Sequence, residues 1–188
     1  MSNPAEVIVL AEDNRQFRLV RAWVRERVPQ YPASNIRVSP MSHGRGSGAQ
    51  QVLNQYAVEV RAYLSRHARK WLIVVIDADN FSVHDRLTQL AQNLRESQYE
   101  RVRNCRADSE QIARLAPKWS IETWILFLNG ETIDEDTRYK NLNRDWDQLI
   151  TPAAAQLAEW MAQANPPNDC NPSLLHGIGE LRRLRIEN

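Results

Sequence analysis

Long apolar runs are missing from this sequence. None approaches the roughly 20 residues that cross a bilayer, and the opening "MSNPAEVIVLAED" lacks the layout of a secretory signal, so no membrane association is expected. Cysteine is scarce. Cys105 and Cys170 stand far apart with no C-x-x-C partner, which argues against a cysteine-based zinc site and fits reduced thiols in the cytoplasm. Charge of one sign is lacking too: 24 Lys and Arg against 23 Asp and Glu leave a formal charge of +1. The chain therefore carries no global signature of nucleic-acid binding. His43, His67, His84 and His176 are isolated, with no helical pair for zinc. No Ser or Cys sits in a recognisable nucleophile setting, and internal repeats and low-complexity tracts are absent.

What is present is an ordinary globular composition. At 188 residues, 43% hydrophobic and 25% charged, the chain is long enough for one domain with a sizeable core. "RAYLSRHARK" (61–70), "RESQYERVRNCR" (95–106) and "RRLR" (182–185) are locally basic. They are either solvated helix faces or a surface that follows phosphates.

The periodicities alternate. Val7 to Leu10 form a short apolar run suited to a strand buried on both faces. Asn14 can cap a helix carrying Phe17, Val20, Val24 and Val28, which Pro29 and Pro32 end. "NIRVS" (35–39) reads as a short strand, and "HGRGSG" (43–48) as a loop opening a helix with Leu53, Tyr56, Val60, Tyr63 and Leu64 on one face. That loop lacks the Gly-Lys-Ser/Thr ending of a Walker A motif, which leaves a flexible loop or a backbone phosphate cradle. A strand at 71–77 precedes a helix striped by Val83, Leu87, Leu90, Ala91 and Leu94, and "EQIARLAP" (110–117) can hold a further strand. "SIETWILFLNG" (120–130) reads as an almost wholly apolar helix capped by Ser120 and closed by Gly130, after which the pattern is purely helical. The expected fold is α/β, a mostly parallel sheet flanked by helices over residues 1–130, with a helical C-terminal extension over 131–188.

The chemistry gathers at two strand ends. "VIVLAED" delivers Glu12 and Asp13, and "LIVVIDAD" delivers Asp77 and Asp79, which strand periodicity places on one side. In open parallel sheets, sites form beyond the carboxyl ends of the strands. Converging carboxylates oppose one another's ionisation. A hard divalent cation relieves this, Mg²⁺ taking one or two carboxylates plus waters and phosphate oxygens. Equally, each acid can cap the following helix and favour its N-terminal dipole. Glu122 lies in the apolar 120–130 helix, where it needs a cation or a hydrogen-bonding partner, or else simply faces the dipole. Arg15, Arg45 and Lys118 are the basic residues that could meet a phosphate near these acids, or they are ordinary surface residues.

Glu12 after the first strand, "DAD" at 77–79 after a later one, and "IETW" at 121–124 together resemble the TOPRIM superfamily, most closely its small bacterial members and the nuclease half of the overcoming-lysogenization-defect family. The resemblance covers residues 5–130. Asp13 stands where the family usually has Gly, and no tyrosine domain or zinc ribbon accompanies it, so topoisomerase or primase action is not implied. The resemblance implies a metal-dependent nuclease in which Glu12 acts as ligand or general acid/base, Asp77 and Asp79 hold Mg²⁺ or Mn²⁺, Asp13 adds a ligand and Glu122 supports a second ion. Two ions about 4 Å apart stabilise both the attacking and the leaving oxygens of a phosphodiester. It further implies nucleic acid as substrate, DNA ahead of RNA, and a separate ATPase partner in a defence or DNA-processing complex.

Two other readings stand beside it. "VIVLAEDNRQFRLVRAWVRER" also looks like the opening of a response-regulator receiver with Asp77 as phosphoacceptor, although Asp77 comes later than a receiver requires and the expected Ser/Thr strand and Lys-Pro strand end are not evident. A non-catalytic assembly module would use the six tryptophans and the "AAAQLAEWMAQ" helix for docking; exposed Trp146 and Trp160 would favour it.

Overall fold

The computed structural model describes residues 6–39, 48–65, 70–163 and 166–186. Four strands, β1 (Glu6–Ala11), β2 (Ile36–Val38), β3 (Lys70–Val75) and β4 (Ile112–Leu115), form one sheet in the order β2-β1-β3-β4. Every pairing is parallel. The connections are α1 (Asn14–Arg27), α2 (Gly48–Ser65), and α3 (Val83–Arg95) with the short α4 (Glu100–Arg103). After β4 come α5 (Ile121–Leu128), α6 (Trp146–Ala162) and α7 (Pro172–Arg183). No described helix is long and apolar enough to cross a membrane.

Alternation along the strands divides the core in two. Val7, Val9 and Ala11 of β1 and Trp71, Ile73 and Val75 of β3 look toward α1, α5, α6 and α7. Leu10, Leu72, Val74 and Ile76 look the other way, toward α2, α3 and α4. β3 is buried along its whole length, which is why 71–76 reads as an unbroken apolar run rather than an alternating one.

The helical C-terminal region is present, and it shares this core. Trp146, Ile150, Ala153, Ala154 and Leu157 of α6 and Leu174, Ile178 and Leu181 of α7 belong to the same cluster as β1 and β3. α7 rests on α5 through a close approach that only glycine admits: a Cβ on Gly177 would lie 2.3 Å from Trp124 Cη2. Ser173 Oγ accepts the Trp124 indole N–H at 2.7 Å. Fully burying one large apolar side chain contributes about 1.5–3 kcal/mol, so this contact fixes α5, and with it Glu122.

Helix starts depart from expectation in two places. Asp13, not Asn14, is the cap of α1, its side chain accepting from Gln16 N–H. Ser120 occupies the cap position of α5 but makes no side-chain cap bond. The tryptophans are largely internal: Trp146 is buried in the core, and Trp160 packs edge-on against Phe127 with ring centroids 5.9 Å apart. The exposure that would have favoured an assembly module is not found.

Candidate functional site

β1 and β3 run side by side with Ala11 opposite Val75. The chain leaves both strands at the same edge of the sheet, and this register brings Glu12 to Asp77. Glu12 Oε1 accepts the Asp77 backbone N–H at 2.6 Å. Asp77 Oδ1 accepts from Gln16 Nε2 at 2.7 Å, and Gln16 Oε1 accepts the Glu12 backbone N–H at 2.7 Å. The three residues close a ring in which buried Gln16 fixes both acids. Gln16 occupies the apolar stripe of α1 with Leu19, Val20 and Trp23; a polar residue in such a stripe was the signal that could have found it.

α2 presses on the ring from outside. A Cβ on Gly48 would fall 2.9 Å from Glu12 Cβ and 3.0 Å from its Oε2. The last glycine of "HGRGSG" is therefore demanded by close approach. Arg45, the remainder of the 43–47 segment and His67 lie outside the described residues.

Glu122 reaches the same place from α5. It is fully buried, and Arg15 donates to its Oε1. Lys140 Nζ lies 3.7 Å from Asp77 Oδ2. Nothing in the sequence pattern marked Lys140, which sits between α5 and α6. Two buried carboxylate oxygens, Asp77 Oδ2 and Glu122 Oε2, have no hydrogen-bond donor.

The electrostatics follow from this crowding. Burial is the main cause raising Glu12 to about 7, and the charge of Asp79 adds to it despite the Asp77 N–H, Lys140 and Arg86. Burial, then Glu12, pushes Asp77 well above the usual carboxylate range. Two adjacent buried carboxyls cannot both ionise cheaply, so near neutrality the pair retains a proton. Burial alone would lower Lys140, but Asp77, Glu122, Glu12 and Asp13 together raise it.

The remaining expected residues are drawn elsewhere. Asp79 does not share a side with Asp77, because β3 ends at Val75 and the backbone turns: Asp79 has φ 51°, is about half exposed, and pairs with Arg86 at 3.5 Å. Asp13 Oδ1 is taken by the cap bond to Gln16 N–H at 3.0 Å. Lys118 Nζ donates to the carbonyls of Asp79 and Phe81. Glu12, Asp77 and Glu122 are thus brought together, while Asp13 and Asp79 stand at the rim.

Among the described residues, no three His, Cys, Asp or Glu side chains form a group that could hold a metal ion by themselves. Mg²⁺ asks for less than a full protein cage, one or two carboxylates with the rest water and substrate oxygens. Asp77 Oδ2 and Glu122 Oε2, buried hard oxygens that make no hydrogen bond, fit that demand. No protein-family model matches the chain, and comparison with curated proteins and with solved structures finds no match.

Proposed function

We propose that the chain is a Mg²⁺-dependent, TOPRIM-like nuclease subunit that cleaves phosphodiester bonds of nucleic acid. The observation that carries this reading is the Glu12–Asp77 pair at neighbouring parallel strand ends, beside two buried carboxylate oxygens with no donor. Asp77 and Glu122 are the residues to hold an ion, which would supply a Lewis acid for the phosphoryl oxygen and ease deprotonation of water. Glu12, near 7, is matched to take a proton at working pH. Gln16 holds Asp77 in one orientation, and Lys140 offers a positive charge to the phosphate at the edge of the site. With a formal charge of only +1, the chain has little non-specific attraction for phosphates and is not expected to hold nucleic acid alone; the TOPRIM resemblance implies a separate ATPase partner and DNA ahead of RNA.

A second reading has one specific observation behind it. A lysine 3.7 Å from a strand-end aspartate beside a further acid also suits a receiver whose phosphoacceptor is Asp77. Calorimetric titration of Mg²⁺ and Mn²⁺ into the wild type and Asp77→Asn, with plasmid nicking and acetyl-phosphate labelling on the same samples, separates the two. Metal binding and nicking that vanish together in the variant support the nuclease. Binding with labelling of Asp77 and no nicking supports the receiver, and neither heat nor nicking removes the metal reading.

A further inference from the structure

Beside the carboxylates, the ends of β3 and β4 open into a cleft of about 530 Å³, within the roughly 300–1,000 Å³ of small-ligand sites. Asp79, Asn80 and Phe81 after β3 and Trp119 and Ser120 after β4 line it, together with Arg138 and Lys140 of the segment before α6. The two strand-end loops are tied to each other. Ala78 N–H donates to the Pro117 carbonyl at 2.8 Å, and Asp79 and Trp119 pair as an isolated antiparallel bridge. Both bridge residues are left-handed, with φ 51° and 63°. Such a conformation on a side chain as large as tryptophan persists only where the surroundings over-determine it, and residues of this kind cluster at ligand sites.

The lining has a definite chemistry. Arg86, Arg138 and Lys140 line the cleft with one carboxylate, Asp79; Arg86 pairs with Asp79 and Lys140 with Asp77 just outside the lining, which leaves Arg138 to favour an anion. Phe81 presents an apolar ring that is 45% exposed. Arg138 and Lys118 each lie 4.3 Å from the centre of the Trp119 ring, and Arg138 also donates to Asn80. Three buried polar atoms in this lining have no partner: Ser120 Oγ, Arg86 Nε and Trp119 Nε1. Ser120 and Arg86 are 1% and 4% exposed, so these atoms lie behind the surface of the cleft.

We propose that this cleft binds one nucleotide unit, its phosphate on Arg138 and Lys140 and its base against the exposed Phe81 ring. The arginine fork matches phosphate oxygens, and any base offers a π-face to an aromatic ring. A base inside a duplex cannot enter, so the unit comes from a single strand, a frayed end or a free nucleotide. This deepens the nuclease reading and rests on it for its purpose: Lys140 belongs both to the cleft and to the carboxylate site, so a strand held here has its backbone beside Asp77.

Fluorescence anisotropy of a fluorescein-labelled oligothymidylate, measured in EDTA with the full chain, tests it without cleavage. The expected result is binding that weakens about tenfold or more in Arg138→Gln and in Phe81→Leu, with blunt duplex a poor competitor and thermal melts showing that both variants fold. Competition by thymidine monophosphate as strong as by the oligonucleotide supports the cleft and identifies free nucleotide as the source. No binding of either probe, or equal binding by wild type and both variants, overturns the proposal. Binding here by a chain that takes up neither Mg²⁺ nor Mn²⁺ in the calorimeter sinks the nuclease reading and spares the cleft; metal-dependent nicking without this binding does the reverse.

Discussion

Buried acid sits at two places on this sheet, a single glutamate at the β4 edge and a cluster at the ends of β1 and β3. At the β4 edge, Glu180 of α7 is 6% exposed and fully used. Its Oε2 accepts the Arg114 backbone N–H at 2.8 Å, and its Oε1 accepts from Arg183 Nη2 at 2.9 Å. Arg183 also donates to the carbonyls of Asp108 and Ile112 at 3.0 and 2.8 Å. These bonds occupy an edge strand that would otherwise offer unpaired backbone to another chain. At the cluster, Asp77 and Glu122 are buried just as deeply, yet each keeps an oxygen with no donor. A buried charge with every bond made is structure; a buried carboxyl left partly unsatisfied, in Asp77 also pushed up in pKa, is a place where chemistry is expected.

Substitutions sharpen the contrast. Glu180→Ala has the largest expected effect: it strips Arg114 and Arg183 of their shared acceptor and costs about 3–5 kcal/mol, read as a lower urea midpoint. Nucleotide binding at the distant cleft in the folded protein stays unchanged. A loss well below 1 kcal/mol would show that the edge is sealed by the backbone contacts of Arg183 alone.

The second effect is a slope rather than a step. Glu12 titrates near 7 when folded against an ordinary 4.5, so between those values the folded state holds a proton that the unfolded state has released. The stability this confers is fully present below about pH 4.5 and is lost as pH rises toward 7, about 3 kcal/mol for Glu12, and Asp77 shifts in the same direction. Urea midpoints at successive pH values in EDTA should fall along this range in the wild type and fall less steeply in Glu12→Gln. Equal slopes would mean that another group carries the titration.

The smallest effect has the opposite sign to the first. Asp77→Asn keeps an oxygen for Gln16 while removing the buried like charge beside Glu12, so it is expected to stabilise by about 1 kcal/mol at pH 8 while losing metal binding. Thermal melts with and without Mg²⁺ measure both. Destabilisation by this variant would make Asp77 a structural acid of the Glu180 kind.

Much of the architecture was legible in local pattern. The unbroken apolar run before Asp77 announced a strand covered on both faces, and the residues buried on α2 and α3 include Tyr56, Val60, Leu90 and Leu94 of the expected stripes. The delivery of Glu12 and Asp77 to strand ends was legible too, while their meeting required β1 and β3 to be neighbours. The fate of Asp79 was not legible, because strand periodicity holds only while the strand lasts and the backbone turns to φ 51°. Lys140 and Arg138 were invisible for another reason: they belong to the irregular segment before α6, where no period marks which way a side chain faces.

By itself, then, the sequence determined the alternation of strands and helices, the burial of β3 and the delivery of carboxylates to the sheet edge, because these depend on periodicities of a few residues. Only the tertiary structure decided which carboxylates meet, which are neutralised by Arg15 or Arg86, and that Arg138 stacks on Trp119 beside a cleft. Those outcomes depend on strand register and on contacts between residues as far apart as Arg15 and Glu122, 107 positions along the chain, a separation that no local pattern encodes.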